Sequence, residues 1–274
     1  MSAMKQEEVK AQLDKILRIF KTTDGEIRPH FMLTGPSGSG KSFTIGCLAE
    51  QHELNFIEVN AAQLTKEGLS GNSLSKALTP LLQAGGRMTV VFVDEFDKLF
   101  ISGNNCELAH ESTTGVQNEF LKVLESDNAQ VFGDYGKYIT VPMDKVLFVF
   151  AGAFNGIENI DLDKLRDFGL KTEFIGRVGL IFNLAKPTLE SMHKLLHTSK
   201  LLETYLKVFP KAERSDALEK IGAAIDESYE KNTLGVRLIN TMLHKYFING
   251  GKLTEKVVKE SSFQKTLEFS SATH

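Results

Sequence analysis

The stretch GPSGSGKS, residues 35–42, sets three glycines, a lysine and a hydroxyl in the pattern G-x-x-x-x-G-K-[ST]. Gly35, Gly38 and Gly40 let backbone N–H groups curl around phosphates, and Pro36, Ser37 and Ser39 complete the loop. Lys41 adds positive charge at the β- and γ-phosphates, while Ser42 offers a hydroxyl to Mg²⁺. A short apolar run, HFMLTG, precedes the loop and a helical KSFTIGCLAEQH follows it. That strand–loop–helix setting is what phosphate binding requires; a glycine-rich turn without a ligand is the weaker reading.

A second group of residues completes the chemistry. VVFVDEFDKL, residues 90–99, is an apolar strand ending in acids, and acids at the carboxyl end of a buried parallel strand face the crevice where α/β sheets bind ligands. Asp94 is placed to hold Mg²⁺ through water, and Glu95 to polarise an attacking water as general base. Such a pair argues for hydrolysis rather than transfer to a small molecule. Hydrolysis also needs positive charge where the transition state accumulates negative charge. Arg177 in TEFIGRVG and Arg237 in NTLGVRLINTML stand out, although by residue type alone both read as solvated surface arginines.

The elements that must position these groups follow from hydrophobic patterning. Strand-length apolar runs at 30–35, 55–59, 88–96, 145–154 and 178–184 alternate with helical stretches, and VFGDYGKYITVP resembles a hairpin. Strand alternating with helix means a parallel sheet sandwiched by helices, the doubly wound α/β class. After Pro187 the pattern turns helical throughout. The expected organisation is therefore an N-terminal helix and lead-in (1–29), a large α/β domain (30–185), a small all-helical domain (186–259) and a polar tail (260–274).

Composition bounds the partners. With 32 basic against 35 acidic residues the net charge is −3, which supplies no general pull toward nucleic acid or acidic membranes. Cys47 and Cys106 cannot build a disulfide framework, and Cys47 lies in an apolar helical pattern that predicts a core position. The amphipathic N-terminus carries no signal region and no apolar run reaches the roughly 20 residues needed to span a bilayer, so a cytoplasmic protein is expected.

The run from GPSGSGKS through VVFVDEFDKLF, TTGVQNEFLKVLE, VLFVFAGAFNGI, FGLKTEFIGRVG and TLGVRLINTML resembles the AAA+ ATPases, and within them the Clp unfoldase subunits of the ClpX and HslU type. The resemblance spans about residues 30–245, its most specific part being GAF followed by F-G-L-x-x-E-F-I-G-R. It implies a ring homo-oligomer, a hexamer, with ATP and Mg²⁺ bound between neighbouring subunits. It implies that Arg177 is the finger reaching a neighbour's γ-phosphate, that Arg237 is a second sensor on a small lid domain, and that Asn155 is the nearest candidate for the first sensor. In LTKEGLSGNS it implies a first pore loop in which Leu69 takes the gripping position, followed by Ser70. Phe132, Tyr135 and Lys137 would belong to a second.

The chain also departs from these relatives. It has no cysteines for the zinc domain of ClpX, residues 158–167 are too few for a protease-docking loop, and the inserted domain of HslU is absent after Leu99. The adenine-cradling V-x-G-Q loop is not recognisable either, and Leu69 lacks the flat aromatic surface expected of a forceful grip. Two functions follow: a ring ATPase that remodels protein clients without a protease, or an ATP-dependent loader acting on DNA. The second would need clustered basic residues, and Lys252, Lys256, Lys259 and Lys265 read as a solvated helix face. A protein that binds nucleotide without turnover fits poorly with Lys41, Asp94, Glu95, Arg177 and Arg237 all present.

Overall fold

The computed structural model describes residues 2–65, 72–100, 107–133 and 136–253. The chain forms two compact units, one of Met1–Thr188 with Thr233–Val236, the other of Leu189–Asn232 with the chain from Arg237 onward.

The first unit is built on five parallel strands: β1 (Phe31–Thr34), β2 (Asn55–Asn60), β3 (Thr89–Asp94), β6 (Val146–Gly152) and β7 (Leu180–Asn183), in the order β2-β3-β6-β1-β7. An antiparallel pair, β4 (Asn128–Phe132) and β5 (Tyr138–Pro142), forms the hairpin expected from sequence. Alternation along each strand divides the core into two layers. Val90 and Phe92 of β3 and Leu147, Val149 and Ala151 of β6 join Leu13, Leu17 and Phe20 of α1 (Ser2–Thr22) and Ile45 and Ala49 of α2 (Lys41–Gln51). The intervening Val91, Val93, Phe148 and Phe150 face the opposite layer, with Phe120 of α5 (Glu107–Glu125) and Phe174 of α7 (Thr172–Arg177). Residues on both faces of such strands must be apolar, which is why β3 and β6 read as unbroken hydrophobic runs. The N-terminal helix belongs to this unit because Leu13, Leu17 and Phe20 are fully buried against it.

Several local expectations change. The stretch SLSKALTPLLQA is two short helices, α3 (Leu74–Ala77) and α4 (Pro80–Ala84), because Pro80 has no N–H to continue the first and suits the opening of the second. The helix α5 begins at Glu107, inside the stretch 101–112 whose polarity predicts a loop. Cys47 is exposed, not in the core. Thr44, Ile45 and Ala49 are the buried face of α2, and two residues beyond Ile45 the helix has turned about 200°.

The second unit packs α8 (Leu189–His197), α9 (Lys200–Val208), α10 (Arg214–Ser228) and α11 (Arg237–Ile248) around Met192, Leu196, Leu202, Ile221, Ile225 and Leu243. Tyr205 stacks on Phe247 with ring centroids 4.5 Å apart. Tyr246 donates its hydroxyl to Asp216 at 2.5 Å, and burial first, then that carboxylate, pushes the phenol up to about 12.

One buried polar contact of the sheet carries a pH dependence. His30, just ahead of β1, accepts the Phe148 N–H at Nδ1 (3.1 Å), which requires a neutral nitrogen there. Burial, with help from the Arg28 charge, lowers its pKa to about 4 from 6.5. Between those values the unfolded chain binds a proton that the folded chain refuses. Stability is therefore complete above about pH 6.5 and declines toward pH 4, by roughly 3 kcal/mol once fully developed. Thermal unfolding followed across this window is expected to show a shallower slope in His30→Gln than in the parent; identical slopes would assign the dependence to other groups.

Candidate nucleotide site

Three chemistry-bearing turns leave the carboxyl ends of neighbouring strands. Thr34 of β1 lies in register with Gly152 of β6 on one side and Asn183 of β7 on the other, and β6 in turn pairs with β3. The loop 35–42, the Asp94–Glu95 turn and the turn carrying Asn155 therefore open from one edge of the sheet, where open α/β sheets bind ligands.

The phosphate loop is shaped from behind. Leu184 donates its N–H to Thr34 O (2.8 Å), and its own carbonyl sits where a side chain at Gly35 would go, 2.4 Å from an added Cβ. Gly38 has φ +73° and lies back to back with Gly235: a Cβ on Gly38 would meet Leu234 O at 2.1 Å, and Val236 N–H donates to Gly38 O (2.9 Å). Only glycine fits at either position. Asn183 braces the loop's entry, accepting from Thr34 Oγ1 (2.7 Å) and Ile160 N–H (2.7 Å) and donating to Ile160 O (2.9 Å). The loop ends at α2, a helix with no acidic residue in its own first turn, so its positive end faces the loop. Lys41 Nζ donates to Gly35 O (2.7 Å) and Pro36 O (3.1 Å), arching over the loop. Ser39 is buried, and its Oγ has no hydrogen-bond partner among the described residues. A buried hydroxyl without a protein partner is one that an oxygen of a bound group can satisfy.

Asp94 closes β3 opposite Asn60 of β2, and its Oδ1 accepts the Glu95 N–H at 2.8 Å. Glu95 stands exposed in a left-handed conformation, φ 55° and ψ 29°, before a 3-10 turn at Phe96–Leu99. The turn is anchored because Phe96 drives inward, 4.7 Å from the Phe150 ring and 5.1 Å from that of Phe174. With Phe96 fixed in the core, Glu95 is held outside it. Beside Asp94 lies a cleft of about 390 Å³ with Glu58, Asn60, Gln63 and Asn72 in its wall, and Glu58 Oε1 also accepts the Ser42 hydroxyl at 3.2 Å. Among the described residues no group of three or more His, Cys, Asp or Glu side chains could cage a metal. Mg²⁺ asks for no cage: one or two protein oxygens, substrate phosphates and retained waters suffice. The Ser42 hydroxyl and Asp94 carboxylate fit that requirement.

Residues 31–174, more than half of the 274-residue chain, match the model of the ATPase family associated with various cellular activities, AAA. The chain belongs to the AAA ATPases. Similar curated proteins carry the name ATP-dependent Clp protease ATP-binding subunit ClpX. That of Borrelia duttonii is 26% identical over 280 aligned residues, covering 83% of this chain and 65% of its own length. That of Porphyromonas gingivalis is 28% identical over 227, covering 66% and 55%, and that of Treponema denticola is 25% identical over 272, covering 81% and 65%. This AAA ATPase thus spans 55 to 65% of the length of the relatives it matches. No helix among its described residues is long and apolar enough to cross a membrane.

Arg177 ends α7, with its guanidinium half exposed and 3.1 Å from Glu125 Oε1 at the end of α5. Asn155 is exposed in a left-handed turn, φ 55° and ψ 23°, directly after β6. Arg237 is the first residue of α11 in the helical unit. Phe132 is half-buried, edge-on to Tyr138, with Lys76 Nζ 5.5 Å from its ring centroid. Leu69, Ser70, Tyr135 and the lysines at 256, 259 and 265 lie outside the described residues.

Three residues beside these turns escaped sequence reading: Glu58, Asn183 and Asp97, whose Oδ2 accepts the Phe154 N–H at 3.1 Å. A glutamate inside the strand NFIEVN was a visible polar interruption. Asn183 and Asp97 gave no signal, because their partners are distant in sequence.

Proposed function

We propose that this AAA ATPase binds ATP with Mg²⁺ in a ring of its own copies, a hexamer, and uses hydrolysis to remodel protein clients in the cytoplasm. The observation that carries the nucleotide chemistry is the convergence of the 35–42 loop, the Asp94–Glu95 turn and the Asn155 turn at one sheet edge. In this reading the loop N–H groups and Lys41 hold the phosphates. Ser42 and Asp94 hold Mg²⁺, whose chemistry is to draw charge off the phosphoryl oxygens. Glu95 takes the proton of the attacking water, and Asn155 orients that water or the γ-phosphate. Arg177 reaches the neighbour's nucleotide; its half-exposed guanidinium, paired among the described residues with the half-exposed Glu125, is free enough of its own core to do so. Arg237 reports nucleotide state to the helical unit.

The client class rests on similarity to ClpX subunits, and the pore-loop assignment of Leu69 and Ser70 on sequence. Steady-state ATP hydrolysis should rise about twofold or more with an unfolded polypeptide and stay level with DNA. Leu69→Ala should abolish that stimulation while sparing basal turnover, and Leu69→Tyr should increase work on the client. Stimulation by DNA that falls steeply with salt would instead mark a nucleic-acid-linked switch.

A further inference from the structure

Asp97 is a carboxylate with no part in the chemistry above, yet it is almost wholly buried, 1% exposed, two residues beyond Glu95. Its Oδ2 accepts the buried Phe154 N–H at 3.1 Å, spanning from the turn after β3 to the turn after β6. Gly152, the last residue of β6, makes room for it: an added Cβ there would lie 2.9 Å from both Asp97 Cβ and Asp97 Oδ1. Lys98 Nζ, 3.6 Å from Oδ2, offsets the charge from the solvent side.

Both turns so joined carry non-glycine residues in the left-handed region. Glu95, Phe154 and Asn155 all have positive φ, at 55°, 45° and 55°. Non-glycine residues hold such conformations only where the surroundings over-determine them. Phe96 and Phe154, fully buried, fasten each turn to the core, but into different aromatic neighbours: Phe96 to Phe150 and Phe174, Phe154 to Phe168. The one side-chain hydrogen bond described between the two turns is that of Asp97.

We propose that Asp97 is a positioning residue that locks the Glu95 turn to the Asn155 turn, fixing the general base relative to Asn155 at the same sheet edge. The inference rests on the reading of Glu95 as the base. Asp97, buried at 1% exposure, acts through the backbone on either side. A misplacement of the base by an ångström is enough to cost about 10²-fold in turnover. An asparagine keeps an acceptor oxygen at the same place, whereas alanine removes it.

Turnover and fluorescent-nucleotide affinity, measured on the full chain, test this. Asp97→Ala should lower kcat by about 10²-fold with nucleotide affinity changed less than about threefold, and Asp97→Asn should recover most of the loss. In the Glu95→Gln background Asp97→Ala should cost almost nothing more, since it acts through the group already removed. Should Asp97→Ala not fold, Gly152→Ala, whose added Cβ would crowd Phe154 Cε2 at 2.7 Å and the Asp97 carboxylate at 2.9 Å and so part the same two turns, carries the same expectation. Full kcat in either variant, a parallel loss of affinity, equal loss in Asp97→Asn and Asp97→Ala, or failure of both Asp97→Ala and Gly152→Ala to fold would overturn the proposal. If Glu95→Gln itself retains turnover, the reading of the base has failed instead.

Discussion

Glu95→Gln is expected to lower ATP turnover by roughly 10²–10⁴-fold while leaving nucleotide affinity within a few-fold of the parent. The amide matches the carboxylate in shape but cannot take a proton from water. Nothing in the fold depends on the charge: the side chain is exposed, and the left-handed backbone at 95 is held by Asp94 Oδ1 on one side and by the buried Phe96 on the other. The 35–42 loop, Lys41 and Asp94 stay as they are, so nucleotide affinity is expected to be kept. Phosphate release and fluorescent-nucleotide titration separate the two effects. Turnover within about threefold of the parent would remove Glu95 from the chemistry. A mutant that binds but does not hydrolyse also holds its client, so mass spectrometry of co-purifying material, with and without nuclease, would identify what this AAA ATPase works on.

Arg177→Ala should cost ~10³–10⁵ in turnover if the guanidinium serves a neighbour's γ-phosphate. Its ion pair with Glu125 joins two half-exposed side chains, an interaction worth at most about 1 kcal/mol, so the variant should fold normally and bind nucleotide. The decisive form of the experiment mixes two inactive variants. A Glu95→Gln copy still has its arginine, and an Arg177→Ala copy still has its base. Where the arginine-bearing copy stands beside the base-bearing one, a complete site forms, and mixing should restore hydrolysis. Two inactive populations that stay inactive when co-assembled would place Arg177 in its own subunit's structure and not in its neighbour's reaction.

Much of this molecule was legible beforehand because short-range physics dictates it. The strands β3 and β6 are buried on both faces and can only be written as apolar runs, and the glycines at 35 and 38 have to accommodate a backbone that another residue would block. The hairpin 128–142 likewise announced itself by its turn residues. Where a single helix turn or one proline decided, the expectation failed: Cys47 faces outward, and Pro80 divides one helix into two.

By itself, then, the amino-acid sequence determined the α/β class, and it supplied the 35–42 loop with Lys41 and Ser42 and the acids Asp94 and Glu95 as candidates, because each is a local pattern whose chemistry depends on neighbours in the chain. Tertiary structure alone decided that β6 separates β1 from β3 and so brings the Asn155 turn between the phosphate loop and the acids. It alone set Glu58 against Ser42, Asn183 behind Thr34, and Asp97 beneath the Phe154 backbone. The physical reason is the same in each case. A parallel sheet joins strands through long crossovers, so residues far apart in sequence become neighbours at its edge, and no periodicity or spacing along the chain encodes which ones meet.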